Sequence, residues 1–300
     1  MAAHCFDATT FVGPCNHKAR GQHHNPPAPG RSHYLKIKRK QVCNKFFIGM
    51  KRIHTILIIL LLAVTYGEAK KSSDDRQMDD FITSLMKKMT LEEKIGQLNL
   101  GGVGSPKVVG SAIGLDEAIR KGLVSSVGGF DAKAAEDAQK FAVENSRMKI
   151  PLITGLDVVH GYYTIFPIPL ASACSWNMPL LEESARVAAD EASAFGINWT
   201  FAPMVDICRD PRWGRIAEGA GEDPCLGSRI GRAMVRGFQG DDLSKPNTLL
   251  ACVKHFALYG ASEAGRDYNT VSMDPVTMYN YYLPPYKAAF DEGAGSGMTS

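Results

Sequence analysis

From residue 97 onward the chain alternates between two patterns. Short apolar runs at 97–100, 123–130, 150–159, 198–207, 249–256 and 297–300 have the length and β-branched content of buried strands. Between them, apolar residues return every three or four positions, as on one face of a helix, over 132–148, 179–196, 229–239 and 274–293. Pro284-Pro285 interrupts the last of these. Upstream, Phe81, Ile82, Leu85, Met86 and Met89 share helical spacing, and Thr90-Leu91-Glu92-Glu93 is a capping box that starts a second helix at Leu91. Strands alternating with helices predict a parallel sheet, in which ligand groups collect at the carboxyl ends of the strands.

Three of those ends carry chemistry. Asp157 with His160, Arg209 with Arg215, and Lys254 with His255 each follow an apolar run closely. The stretch 201–224, FAPMVDICRDPRWGRIAEGAGEDP, turns from a strand into a long polar loop and closes on an acidic turn. Its arginines have a structural reading, in which they pin the loop to nearby carboxylates around Trp213 as an apolar plug; Arg209 and Arg212 fit it. Arg215 follows a glycine and reads better as a planar fork aimed into a cleft, able to grip vicinal hydroxyls or a carboxylate. Asp157 reads equally as a loop cap or a ligand group. His255 alone reads as a packed histidine and His160 as structural. An ammonium such as Lys254 at the end of a fully apolar strand demands a partner.

Composition sharpens the picture at the amino end. Residues 1–49 hold eight Lys/Arg against the single Asp7, whereas the whole chain is only +3, so the part after residue 49 is near −4 and gives no reason to expect nucleic acid. Lys51-Arg52, the apolar run 56–64 and the small residues at 67–69 make residues 50–69 a secretory signal peptide. The run is too short for a permanent transmembrane helix, so export to the periplasm or beyond is expected. A signal peptide works near a start, so residues 1–49 are read as a non-native, disordered upstream extension and residues 70–77 as a linker. Cys5, Cys15, His17, His23 and His24 match no paired spacing for zinc. Of the later cysteines, Cys208 and Cys225 are a possible bridge. No GxGxxG, Walker loop, HExxH or GxSxG motif occurs.

Five segments then carry a resemblance: MTLEEKIGQL (89–98), GLDVVHG (155–161), the 201–224 stretch, VKHFALYGASEAGRDYNTV (253–271) and LPPYKAAFDEGAGSGM (283–298). In this order they resemble the N-terminal barrel of glycoside hydrolase family 3, of the periplasmic β-glucosidase type, over residues 78–300. The resemblance implies a TIM-barrel-like (β/α)8 domain that holds one non-reducing-end glucose. Asp157 matches the aspartate that takes the sugar's distal hydroxyls. Arg215, Lys254 and His255 match the groups that hold the neighbouring ones, and Met298 matches a residue of the pocket wall. The branch acting on N-acetylglucosamine carries an Asp-His pair after the KHF segment; here Ala257-Leu258-Tyr259-Gly260 stands there.

The resemblance also implies a retaining mechanism with two carboxylates and no metal or cofactor. The nucleophilic aspartate belongs to the strand after 297–300 and the acid/base to a second domain, so no catalytic residue is expected within the chain. Six runs against the eight strands of a closed barrel make the chain a truncated part of a longer protein, which alone would be poorly soluble and inactive. The whole protein is expected to be an exo-acting retaining β-glucosidase acting on oligosaccharides or β-glucosides. A β-xylosidase or broader β-glycosidase is the alternative in the same class, and a non-catalytic glycan-binding fragment the alternative in another.

Overall fold

The computed structural model describes residues 73–102, 113–129 and 132–300. Residues Met78–Ser300 form one compact unit. The upstream extension and the signal peptide lie outside the described residues, as do Asp131 and Phe130. No described helix is long and apolar enough to cross a membrane.

Helix α1 (Ser73–Lys88) begins inside the segment read as linker. Asp74 and Asp75 in its first turn and Lys87 and Lys88 in its last complement the helix dipole, which favours an earlier start than apolar spacing alone suggests. Its spaced apolar residues Met78, Phe81, Ile82 and Met86 are exposed rather than packed. Helix α2 (Leu91–Gly96) has the expected capping box: the Glu93 N–H donates to Thr90 Oγ1 (3.2 Å) and the Thr90 N–H to Glu93 Oε2 (2.8 Å). Arg147 reaches across to the same buried carboxylate, Nε donating to Oε1 at 2.9 Å. Past Gly96 the chain turns, with the N–H groups of Gln97, Leu98 and Asn99 donating back to the Glu93, Ile95 and Gly96 carbonyls, so the 97–99 segment is a turn rather than a strand. Strand β1 (Leu100–Gly102) therefore starts where the 97–100 run ends.

Strands β2 (Ser126–Gly128), β3 (Ile153–Leu156), β4 (Trp199–Thr200), β5 (Leu250–Phe256) and β6 (Ser296–Thr299) complete a six-stranded sheet in the order β1-β2-β3-β4-β5-β6. Every neighbouring pair is parallel. A parallel neighbour needs a crossover, and helices supply it. Helix α3 (Leu115–Arg120) leads to β2, α4 (Ala132–Asn145) to β3, and α5 (Pro169–Ala173) with α6 (Met178–Ala194) to β4. Helix α7 (Pro224–Gln239) leads to β5, and α8 (Pro275–Thr277), a π-helical turn and α9 (Pro284–Asp291) lead to β6. The Pro284-Pro285 break thus separates two helical pieces, with proline in the first turn of the second.

The 198–207 run yields only a two-residue ladder. Pro203 has no N–H to give, and pairing resumes as a single bridge between Met204 and Lys254. The sheet curls. Trp199 on β4 donates its indole N–H to Ser296 Oγ on β6 (2.8 Å), spanning the width of β5, which requires that face to close on itself. Outside the curl, α7 packs between α6 and α9 over a core that includes Val205, Val235, Phe238, Val253 and Tyr286. Gly237 permits the closest approach: a Cβ there would stand 2.4 Å from the Glu182 carbonyl. The result is an open, incomplete (β/α)8-type barrel of six strands among the described residues.

Cys174, Cys208, Cys225 and Cys252 are all free thiols, so the Cys208–Cys225 bridge does not form. Cys208 is buried beneath the loop and donates to the Asp210 carbonyl (3.1 Å), while Cys225 sits exposed in the first turn of α7.

Candidate substrate-binding site

The polar groups expected at strand ends are found at one rim. Asp157 directly follows β3, with Leu156 and Val158 buried on either side of it. Lys254 and His255 lie near the end of β5, where the pairing with β6 slips between Lys254 and Phe256. A regular strand would send consecutive side chains to opposite faces; an irregularity of this kind re-aims them. Lys254 is 3% exposed and its Nζ donates to Asp157 Oδ1 at 2.6 Å. The aspartate is 54% exposed, so the pair joins a buried cation to an open carboxylate. Met298, half-buried on β6, is the register partner of Lys254.

Arg215 reaches the same place from the long loop. Trp213 anchors that loop, 1% exposed in a cluster with Met204, Cys208 and Tyr259, and its indole N–H donates to Asp267 Oδ1 at 2.9 Å. The bond holds the Asp267 carboxyl below its usual range. The next residues form a short 3-10 turn, Gly214–Glu218. Arg215 grips Glu218 at two points, through Nε and through Nη2 at 2.7 Å to Oε1. Those bonds hold the Glu218 carboxyl below its normal range against the opposing effect of burial, and raise the guanidinium. The Tyr259 ring stacks 5.3 Å from the guanidinium, and Arg215 Nη1 stands 3.4 Å from His255 Nε2. Two contacts, Asp157 with Lys254 and His255 with Arg215, thus meet at adjacent residues of β5.

Other charged residues keep structural posts. Arg212 pairs with Asp210 (Nη2 to Oδ2, 2.6 Å) at the loop's surface. Arg209 lies over the Tyr281 ring at 5.5 Å instead of pairing within the loop. His160 Nδ1 donates to the Phe166 carbonyl (3.0 Å), which fixes the turn after β3. The cleft lined by Glu93, Gln97, Val124, Met148 and Leu152 lies at the amino ends of the strands and contains none of the four rim residues. Among the described residues no group of three or more His, Cys, Asp or Glu side chains is placed to hold a metal ion.

Sequence reading missed three members of this site. Asp206, 2% exposed, accepts from both the backbone N–H and Nδ1 of His255, each at 2.9 Å, on Oδ2, and from the Tyr286 hydroxyl on Oδ1. Glu218 and Tyr286 complete the set. A lone aspartate inside the apolar MVDIC run was the available signal, since a buried carboxylate must find donors.

The fold is an incomplete parallel α/β barrel with acceptors and cations gathered at the carboxyl ends of its strands, where barrels of this kind place their ligand sites. The family model described as Glycosyl hydrolase family 3 N terminal domain matches residues 90–300, and the chain belongs to that family. It is 45% identical over 227 residues to the periplasmic beta-glucosidase of Salmonella typhimurium, covering 74% of this chain and 29% of that protein. A putative beta-xylosidase of Formosa agariphila is 29% identical over 254 residues, 78% of this chain and 34% of that protein. A beta-glucosidase from Listeria innocua, solved in complex with isofagomine, superposes with a TM-score of 0.67 at 42% identity, over 74% of this chain and 32% of that one. The chain thus spans about a third of the length of the relatives it matches.

Proposed function

We propose that this chain supplies the sugar-gripping wall of an exo-acting, retaining β-glucosidase that releases terminal β-D-glucosyl residues from oligosaccharides or β-glucosides. The observation that carries the reading is that the adjacent residues Lys254 and His255 contact Asp157 and Arg215 respectively, which brings groups from three chain segments to one strand end. Asp157 uses Oδ1 for Lys254 and keeps Oδ2 to accept from a sugar hydroxyl. The buried ammonium and the guanidinium supply donors to hydroxyl oxygens, and the Met298 side chain lines the ring's apolar face. A hydroxylated ring gives up water on entering such a pocket, and fixed charged partners replace it. Bond cleavage in a retaining mechanism takes two carboxylates, and none of the residues named here is assigned either role.

The Salmonella relative's name and the Listeria structures with glucose, gluconolactone and laminaribiose support a glucosidase. The names of beta-xylosidase relatives, among them one from Emericella nidulans at 39% identity over 151 residues, favour a second reading as a β-xylosidase. Export to the periplasm follows from the 50–69 signal and is supported by the Salmonella relative's name.

The test is hydrolysis of nitrophenyl β-glucoside and β-xyloside by the protein as its gene encodes it, beside Asp157→Asn and Lys254→Met variants. Glucoside turnover with KM raised in both variants is expected. Preference for the xyloside would select the second reading, glucose binding without turnover would make the protein a glycan-binding module, and turnover indifferent to both substitutions would refute the site.

A further inference from the structure

The network under His255 does more than fill space. An arginine guanidinium has no acceptor, so where Arg215 Nη1 faces His255 Nε2 at 3.4 Å the ring nitrogen must present its lone pair. The imidazole proton is then on Nδ1, and Nδ1 is the atom that faces Asp206 Oδ2 at 2.9 Å. The same oxygen accepts the His255 backbone N–H at 2.9 Å, which locks the ring to its own main chain. Tyr286 completes the arrangement. Its hydroxyl donates to Asp206 Oδ1 and lies 2.8 Å from the His255 carbonyl oxygen, and burial holds its proton on by pushing its pKa up. The Tyr259 ring packs T-shaped against the imidazole, with ring centroids 4.8 Å apart.

The outcome at Arg215 can be counted. Of the guanidinium's five N–H bonds, Nε and Nη2 each give one to Glu218, and Nη1 gives one to His255. One hydrogen on each terminal nitrogen remains; the Tyr259 hydroxyl also bears on the guanidinium and competes for one of them, and their spacing suits two adjacent oxygens on one ligand.

We propose that Asp206, with Tyr286 behind it, is a positioning residue of this site: it fixes the Nδ1–H form of His255, whose bare Nε2 in turn aims the two remaining Arg215 donors at neighbouring oxygens of the bound sugar. With the other tautomer, Nε2–H would meet Arg215 N–H, donor against donor, and the guanidinium would turn away. The ligand part of this inference rests on the function proposed above; the tautomer part does not. Holding a ring by the nitrogen away from the ligand is a general means of setting its tautomer.

The experiment uses the protein as its gene encodes it, labelled with ¹⁵N-histidine, with the His255 signals assigned by their absence in His255→Gln. In the wild type, Nδ1 should be protonated and Nε2 bare; Nε2–H or a doubly protonated ring at neutral pH would overturn the proposal without any variant. In Asp206→Asn the amide oxygen can take the place of Oδ2, where the His255 backbone N–H also donates, so the tautomer should persist; in Asp206→Ala, which removes the acceptor, the Nδ1–H form should lose its preference. kcat/KM on the nitrophenyl β-glycoside that the protein turns over should then fall by about 10–100-fold, mostly through KM. A folded Asp206→Ala protein with unchanged tautomer, or a changed tautomer with kcat/KM within about twofold of wild type, would refute it. If no glycoside is hydrolysed but the tautomers behave as described, the glycosidase reading fails while the assignment of Asp206 stands.

Discussion

The Asp157–Lys254 pair makes an unusual demand of its two halves, because only one of them is out of water. Lys254 is 3% exposed and Asp157 54%. Truncating the open partner strands a buried ammonium; truncating the buried one leaves a carboxylate that water can still reach. Losing one member of a fully buried pair costs about 3–5 kcal/mol. With one partner half in solvent we discount that to about 2 kcal/mol for Asp157→Ala. Lys254→Met puts an apolar stem of similar length in an apolar setting and should cost no more than about 1 kcal/mol. For a unit of this size these become shifts of about 4–8 °C and under about 4 °C in Tm. Thermal unfolding of the two single variants and the double variant measures them. The exposed residue should be the more destabilising one to remove, and adding Lys254→Met to Asp157→Ala should recover stability. A larger loss from Lys254→Met, or no recovery in the double variant, would refute the claim that the cost lies in an unpaired buried cation.

Further outcomes follow from the same geometry. The Arg215 bonds lower the Glu218 pKa, so the carboxylate's stabilisation is complete above its ordinary value of 4.5 and is lost as pH falls through the lower folded value; Glu218→Gln should lower Tm at pH 7 and cost progressively less below that range. Gly237→Ala drives a Cβ to 2.4 Å from the Glu182 carbonyl where α7 crosses α6, and should cost about 1–3 kcal/mol in denaturant unfolding. Trp213→Ala empties the loop's anchor and should cost about 3–5 kcal/mol, with loss of near-ultraviolet dichroism. A thiol reagent should modify Cys174 and Cys225 in the folded protein, and Cys208 and Cys252, whose pKa values burial raises, only after unfolding.

Much of the barrel was legible because parallel strands buried on both faces leave unbroken apolar runs, and all six runs mark a strand. The ends of those strands were not legible. Residues 97–99 are the turn that follows the helix launched by the Thr90 capping box, and Pro203 cuts the ladder of a run that looks uninterrupted. Asp157, Arg215, Lys254 and His255 stood out because each follows an apolar run, where a charge needs a reason. Asp206 did not, since its partners His255 and Tyr286 lie 49 and 80 residues away and only folding brings them to it. Cys208 and Cys225 looked pairable by proximity in sequence, but the loop that buries one leaves the other on the outer turn of α7.

The central claim is that Asp157, Lys254 and Arg215, the last aimed by His255, grip one sugar ring, and a crystal of the protein soaked in glucose tests it most directly. The account predicts a single ring at the carboxyl ends of β3 and β5, with hydroxyls within hydrogen-bond reach of Asp157 Oδ2, Lys254 Nζ and the two remaining Arg215 N–H groups. Glucose bound elsewhere, or bound at this rim without touching Asp157 and Arg215 together, would contradict it.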